Sequence, residues 1–247
     1  MNARRRLLAA SLLAAGLAAV SLPASATSRE VRGSGRLTSE RRSVADFDRL
    51  WVEGDFEIEL RQGSVEGLEL TGDDDLLPLI ETVIEARDGS RSLKISPRRG
   101  TDLRPSQPIR IRVDLIRLSS IGLAGSGRVK ASGLRSARLS LSLGGSGDIV
   151  LAALEAERLA VSIGGSGRVK VDGRSPEAAV TIGGSGRALL ADLAADDVSV
   201  TIGGSGAADV RAERRLKVTI AGSGRLRHSG AAVPTVTIVG SGEVRRL

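Results

Sequence analysis

Residues 161–186 read VSIGGSGRVKVDGRSPEAAVTIGGSG, and the two Gly-Ser-Gly triplets in this stretch begin 19 residues apart. The triplet occurs seven times between residues 119 and 247. Its first glycines are Gly125, Gly145, Gly165, Gly184, Gly204, Gly222 and Gly240, which gives intervals of 20, 20, 19, 20, 18 and 18 residues. Self-similarity at a nearly fixed period of this length is typical of a repeat architecture.

The positions around each triplet alternate between apolar and polar side chains. Two residues before the triplet stand only Leu or Ile, and four residues before it stand Val, Leu or Ile. The position between them is Ser or Thr in six of the seven repeats. A shorter alternation follows the triplet, as in Val169–Val171. A period of two indicates strands that bury one face, so each repeat is predicted to hold two strands. We expect the glycines to form the corner between the strands through positive φ angles.

Two all-β arrangements fit a unit of this length. An antiparallel meander would place one hairpin in each unit, and successive strands would then show mirrored residue orders around their turns. In this chain every repeat runs in the same order. We therefore predict an all-β fold, a right-handed parallel β-helix (β-solenoid) with about 18–20 residues per coil. Like residues of neighbouring coils would form ladders with a spacing of about 4.8 Å.

The chain outside the repeat divides into two parts. Residues 1–26 combine Arg4–Arg6, the apolar run Leu7–Leu22 and the small residues Ala24–Ala26. This pattern predicts a cleaved secretory signal peptide, with an uncleaved membrane anchor as the alternative. Residues 27–118 alternate less regularly and are predicted to form irregular coils that cap the solenoid of residues 119–247. We expect residues 27–247 to make one continuous domain.

Composition excludes several classes of function. The chain has no Cys and no Tyr, one Trp (Trp51) and one His (His228). Thiol chemistry and the usual nucleophile–base sets are therefore missing. Without residues 1–26 the formal net charge falls from +7 to +4, because three of the 36 Lys and Arg are lost and the 29 acids remain. Net charge thus gives little reason to expect a polyanion, and the scarcity of aromatic residues argues against nucleic acid. No second apolar segment predicts a membrane span.

Three motifs suggest ligand binding, and each has a structural alternative that we favour. Gly144–Asp148 resembles a calcium nonapeptide, but the period is about twice nine residues and the acid does not recur. Gly122–Gly127 resembles a phosphate loop, but a strand rather than a helix follows it. The adjacent carboxylates of Asp73–Asp75 are hard oxygen ligands, but three acids at a turn are more often solvated. We predict no metal, cofactor or catalytic residue.

A row of cations follows the triplets. The residue after each triplet and the residue two positions later should both point outward. The cations at these positions are Arg128, Lys130, Arg168, Lys170, Arg187, Arg225 and Arg227. Such a row could bind an anionic envelope glycan or a protein surface. The alternative is that the charges keep the flank soluble and prevent sheets from stacking, since Asp148, Asp209 and Glu243 interrupt the row.

A family resemblance rests on three features. The opening Val44–Phe47, the turn Gly72–Leu77 and the repeated Gly-Ser-Gly strands together resemble the head GIN domain family, whose members are often described as "putative auto-transporter adhesins". The resemblance covers nearly all of the chain after residue 26 and implies a β-helix of the bacterial envelope or a secreted one. The family's triplet is often followed by Asp or Asn, whereas here only Asp148 follows one.

These observations predict a non-enzymatic exported β-solenoid, either periplasmic or secreted to the cell surface of a bacterium. It would act as a binding, adhesion or structural module. The alternative is a carbohydrate-active enzyme, a polysaccharide hydrolase or lyase that uses carboxylates near Asp73–Asp75 and Trp51. A groove holding two facing carboxylates beside Trp51 would favour the enzyme. The sequence does not indicate an oligomeric state.

Overall fold

A computed structural model describes residues 28–87 and 89–247. The predicted signal peptide lies outside these residues. The first described strands are β1 Arg29–Arg32, β2 Leu37–Arg42, β3 Arg49–Glu53, β4 Glu57–Gln62, β5 Gly67–Asp73, β6 Ile80–Arg87, β7 Ser90–Pro97, β8 Thr101–Arg104 and β9 Arg110–Leu115, with a 3-10 turn at Leu77–Leu79. The repeat region forms β10 Ser120–Ala124, β11 Arg128–Ser132, β12 Arg135–Leu143, β13 Asp148–Ile163, β14 Arg168–Arg174, β15 Glu177–Ile182, β16 Arg187–Leu190, β17 Leu193–Ala194, β18 Asp197–Ile202, β19 Ala207–Arg211, β20 Arg215–Gly222, β21 Arg225–Ser229, β22 Pro234–Gly240 and β23 Glu243–Arg246.

The strands form two parallel stacks. Sheet A contains the strands before the triplets, in the spatial order β7, β3, β10, β12, the second half of β13, β15, β18, β20 and β22. Sheet B contains the strands after them, in the order β9, β4, β11, the first half of β13, β14, β16, β19, β21 and β23. Ile163 pairs in register with Ile182, as predicted. The parallel β-solenoid is therefore confirmed.

Aliphatic ladders fill the space between the sheets. Ile163, Ile182, Ile202 and Ile220 follow one another on successive strands of sheet A, and each is at most 1% exposed. Burying a Val or Ile side chain contributes roughly 1.5–3 kcal/mol. Because every coil adds the same residues to the same ladder, the core is continuous along the solenoid.

The triplet glycines are required mainly by the close approach of neighbouring coils. A Cβ on Gly165 would lie 2.1 Å from the carbonyl oxygen of Gly145, and one on Gly167 would lie 2.3 Å from that of Gly147. Among the first glycines of the triplets, positive φ occurs only at Gly125, Gly222 and Gly240. The expectation that positive φ explains the triplet is therefore wrong for the other four. At those corners the backbones pack too tightly for any side chain.

Antiparallel strands cap the N-terminal end of the stack. β6 pairs with β7 at the end of sheet A, while β5 pairs with β9 and β2 with β5 at the end of sheet B. β3 and β4 precede β7 and β9 in the chain, yet they lie between them and the repeat. A Cβ on Gly125 would lie 2.6 Å from the Gly54 oxygen, so Gly54 begins the corner of this coil as a triplet glycine does elsewhere.

The C-terminal end differs from the N-terminal end. Within the described chain, β22 and β23 pair on one side only, with β20 and β21. Val236, Ile238 and Val239, which lie on β22, are 40%, 39% and 69% exposed. The last coil thus exposes Val236 and Ile238, which continue ladders that the preceding coils bury, whereas Val239 follows Ala221, a position that is already exposed.

Candidate anion-binding face

The seven predicted cations lie together on the outer side of sheet B. In-register pairing places two columns side by side. The first column contains Arg128, Asp148, Arg168, Arg187, Ala207, Arg225 and Glu243, and the second contains Lys130, Val150, Lys170, Leu189, Asp209, Arg227 and Arg245. Successive members are about 4.8 Å apart along the solenoid. We call these two columns the basic face.

Acidic neighbours bind three of the seven cations. Arg128 Nη2 lies 3.2 Å from Asp148 Oδ2, and Arg168 Nε lies 4.0 Å from Asp148 Oδ1. Arg227 donates from Nε to Asp209 Oδ1 at 2.7 Å and from Nη2 to Oδ2. These hydrogen bonds and the charge of Asp209 raise the pKa of Arg227 above its ordinary value. Such paired cations have less charge available for a ligand.

The other four cations face solvent. Lys130, Lys170, Arg187 and Arg225 are exposed. Within residues 28–87 and 89–247 no carboxylate lies at ion-pair distance from any of them, since the acids nearby pair with other arginines. The basic face therefore carries unneutralised charge at four places along a rigid surface.

The basic face continues into the N-terminal coils, where the triplet pattern did not predict it. Glu57 and Arg110 extend the first column, and Glu59 and Arg112 extend the second. Arg110 Nε lies 3.5 Å from Glu57 Oε2, and Arg112 Nη1 lies 2.8 Å from an oxygen of Glu69. Charges therefore alternate at this end. The alternation of residues around Glu57 predicts a strand, but without a Gly-Ser-Gly triplet the sequence does not show how this strand aligns with the repeats.

A depression opens on the basic face at Ala207. Its volume is about 310 Å³, and Arg187 and Arg225 flank it on the neighbouring coils. Leu189 and the Asp209–Arg227 pair form its side in the second column. It is one concave part of a surface that is formed by regular strands.

A larger trough of about 950 Å³ lies across the outer side of sheet A. Four of its charged residues form ion pairs, whereas Arg49, Arg138 and Lys217 have no carboxylate at ion-pair distance among the described residues. Arg158 Nε donates to Glu177 Oε2 at 2.8 Å, and Asp197 accepts hydrogen bonds from both Arg215 and Arg214. These bonds, that from Arg215 foremost, hold the pKa of Asp197 well below its ordinary value. In the described chain the trough thus has three unpaired cations, one fewer than the basic face.

Trp51 lies on the outer side of sheet A, over a glycine. Its indole N–H donates to Glu53 Oε1 at 2.9 Å, and Lys94 Nζ lies 3.2 Å from the same oxygen. A Cβ on Gly122 would lie 2.1 Å from Trp51 Cε3, so the ring covers this glycine. Glu53 is the carboxylate that contacts the ring, and the acids of the Asp73 turn contact other partners.

Asp73 holds the loop between β1 and β2. Its carboxylate is fully buried and accepts hydrogen bonds from Gly35 N at 2.8 Å, Ser106 N at 2.9 Å and Ser106 Oγ at 2.6 Å. Burial acts to raise the pKa of Asp73, but these hydrogen bonds outweigh it and the pKa lies below its ordinary value. Asp74 accepts from Ser34 Oγ at 2.6 Å and pairs with Arg36. The turn therefore connects the loop between β1 and β2 to the N-terminal cap through hydrogen bonds.

His228 lies inside the penultimate coil. It is 7% exposed and pairs in register with Val210 and Arg246, and its Nδ1 has no hydrogen-bond partner among the described residues. Burial lowers the pKa of His228 below its ordinary value, and the charge of Arg246 acts in the same direction. It lies two residues after the buried Leu226, on the same face of β21.

Two further observations concern the described residues alone. No group of three or more His, Asp or Glu side chains in them is arranged to hold a metal ion. None of their helices is long and apolar enough to cross a bilayer.

The fold and its exposed columns define a repeat solenoid that presents a charged flank rather than a deep cleft. The family model described as "Putative auto-transporter adhesin, head GIN domain" matches residues 46–232. The chain therefore belongs to the head GIN domain family, as the sequence resemblance predicted. The function of this family is not established.

Solved structures share the fold. A "putative adhesin" from Bacteroides fragilis NCTC 9343 has a TM-score of 0.81 and 22% identity, covering 88% of this chain and 100% of that chain. A "putative lipid binding protein" from Parabacteroides distasonis ATCC 8503 has a TM-score of 0.72 and 24% identity, covering 89% and 100%. A "putative adhesin" from the same organism has a TM-score of 0.70 and 26% identity, covering 88% and 100%. No curated protein matches the sequence.

Proposed function

We propose that the protein is an exported, non-enzymatic module of the bacterial envelope that binds an anionic glycan through the basic face. The observation that carries this proposal is a set of four exposed cations that have no carboxylate partner in the described part of the chain, Lys130, Lys170, Arg187 and Arg225. The secretory pattern of residues 1–26 and the adhesin description of the family support an envelope location.

The geometry suits a repeating anion more than a single one. The cations lie on sheet positions fixed by backbone pairing, so binding orders few main-chain atoms and costs little main-chain entropy. A polymer with regularly spaced charges engages several of them at once, and each contact raises the effective concentration for the next. Because the cations are solvent-exposed, the attraction is screened over about 10 Å at 0.1 M salt. Binding is therefore expected to weaken steeply as salt is added.

The test is retention on immobilised alginate, a linear polyuronate. One variant replaces the four free cations, Lys130, Lys170, Arg187 and Arg225, by Ser. A matched control replaces four exposed arginines outside the basic face, Arg49, Arg117, Arg138 and Arg174, by Ser. Both variants lose four positive charges, so a difference between them cannot come from net charge.

We expect the wild type and the control to be retained at low salt and eluted by salt, and the four-cation variant to flow through. Elution of both variants at the same salt concentration would refute the basic face as the binding surface. Flow-through of the wild type at low salt would refute glycan binding of this kind altogether. Far-UV circular dichroism confirms that each variant is folded.

A further inference from the structure

Two sets of three residues in the first column of the basic face differ only at their centre. In the first set, Asp148 lies between Arg128 and Arg168 on the neighbouring coils. Both guanidinium groups approach its carboxylate, at 3.2 Å and 4.0 Å. One carboxylate thus lies within ion-pair distance of two arginines at this spacing and accepts a hydrogen bond from Arg128.

In the second set, Ala207 takes the central place. Arg187 and Arg225 pair in register with it on the two neighbouring coils, about 9.6 Å apart across two strand spacings. The strand positions are the same as in the first set, but the methyl group of Ala207 supplies no acceptor. Two exposed guanidinium groups therefore flank a column position that has no carboxylate of its own.

The acids around Ala207 are already engaged. Asp209 is bound by Arg227 through two hydrogen bonds, and Glu243 pairs with Arg245 in the last coil. In the described chain, neither acid lies at ion-pair distance from Arg187 or Arg225. These internal pairs also reduce the repulsion that an incoming anion would meet.

The shape of the site suits a small ring that carries the anion. The depression of about 310 Å³ is near the lower limit of ordinary ligand pockets, so it fits one monosaccharide rather than a longer segment. Leu189 is half-buried at its side and offers an apolar surface to the C–H groups of a sugar. The planar guanidinium fork matches a carboxylate in two parallel hydrogen bonds.

We propose that the depression at Ala207 binds the carboxylate of a uronic acid residue, which takes the place between Arg187 and Arg225 that the Asp148 carboxylate takes between Arg128 and Arg168. This inference rests on the proposed glycan binding and names the subsite and the chemical group that it recognises. The protein supplies two guanidinium groups and an apolar wall, and the ligand supplies the acceptor.

The test titrates D-glucuronate, a single uronic acid, and follows the arginine Nε–Hε signals by NMR. We expect one site in the wild type, with shifts at Arg187 and Arg225. The substitution Ala207→Asp places a carboxylate there, as Asp148 does in the first set, and should weaken binding at least tenfold. Val150→Asp adds the same charge to the second column without filling the depression and should leave the affinity within twofold. Methyl glucoside, which lacks the carboxylate, should cause no shifts.

A second variant is expected to gain a binding site. Asp148→Ala removes the internal carboxylate between Arg128 and Arg168, and we expect a second glucuronate site with shifts at these two arginines. The inference is overturned if Ala207→Asp binds glucuronate as the wild type does, or if Asp148→Ala adds no site. If methyl phosphate binds tenfold more tightly than glucuronate, the assignment of the ligand as a carboxylate is overturned.

The two proposals fail in different ways. If the wild type binds alginate but no variant alters glucuronate binding, the subsite is wrong and the basic face stands. If glucuronate binds as expected but alginate is not retained, the site recognises a single acidic sugar and polymer binding is wrong.

Discussion

The Gly-Ser-Gly corner can be tested with two adjacent glycines. Gly164 and Gly165 precede the same serine, yet their surroundings differ. A Cβ on Gly165 would lie 2.1 Å from the Gly145 carbonyl oxygen, whereas real Cβ contacts are essentially never below 3.0 Å. A Cβ on Gly164 would meet nothing nearer than the Leu143 oxygen, at 4.0 Å. Gly165→Ala therefore requires the coils to separate, and Gly164→Ala does not.

The cost follows from the hydrogen bonds at that oxygen. The Gly145 carbonyl accepts from Ser166 N and Gly167 N, both at 3.1 Å. Moving the oxygen by about 1 Å weakens both bonds, and each contributes roughly 0.5–1.5 kcal/mol. Gly165→Ala should therefore lower the free energy of unfolding by about 1–3 kcal/mol. Gly164→Ala should be neutral or should stabilise by about 0.4–1 kcal/mol, because alanine restricts the unfolded chain.

The assay is urea unfolding followed by far-UV circular dichroism. We expect the midpoint to fall for Gly165→Ala and to stay the same or rise for Gly164→Ala. Equal midpoints for the two variants, or a larger loss for Gly164→Ala, would refute close approach as the reason for the triplet.

Two other predictions concern Trp51 and His228. Gly122→Ala should lift the Trp51 ring from the sheet, because the new Cβ would lie 2.1 Å from Cε3. The fluorescence of this single Trp should then shift to the red and become more sensitive to quenching by iodide. The control substitution Ser142→Ala, on the next coil, should change neither property. The pKa of His228 is lowered in the folded protein from 6.5, so the unfolded chain takes up the proton more readily. The free energy of unfolding should therefore be highest above about pH 6.5, where His228 is neutral in both states, and should fall as the pH decreases below that value. His228→Leu should remove this part of the pH dependence, and an identical pH profile in both proteins would contradict it.

The sequence was sufficient to predict the strands and the register of the repeat region. Strand side chains alternate with a period of two and the triplet fixes the register, so the inward ladder through Ile163 and the outward column through Arg128 follow directly. The coil formed by β3 and β4 could not be placed in this way. Gly54-Asp55-Phe56 stands where other coils have the triplet, and this coil lies between strands that come later in the chain.

The row of cations was predicted from the sequence, but the depression at Ala207 was not. The columns place Asp148 beside Arg128, and a separation of 20 residues made that pairing visible. The depression at Ala207 depends on which neighbours are already paired, and that depends on side-chain conformation. The sequence also did not indicate that Asp73 binds the loop between β1 and β2, because its hydrogen-bond partners Gly35 and Ser106 are 38 and 33 residues away in the chain.

In-register stacking has a consequence for how such chains change in size. Each winding touches only the windings before and after it, so a whole unit of 18–20 residues can be copied or lost while all other ladders keep their partners. We expect homologous proteins to differ in length by multiples of one winding, each adding about 4.8 Å along the axis at constant cross-section. The length of the solenoid and the number of arginines on its surface would then change in whole steps.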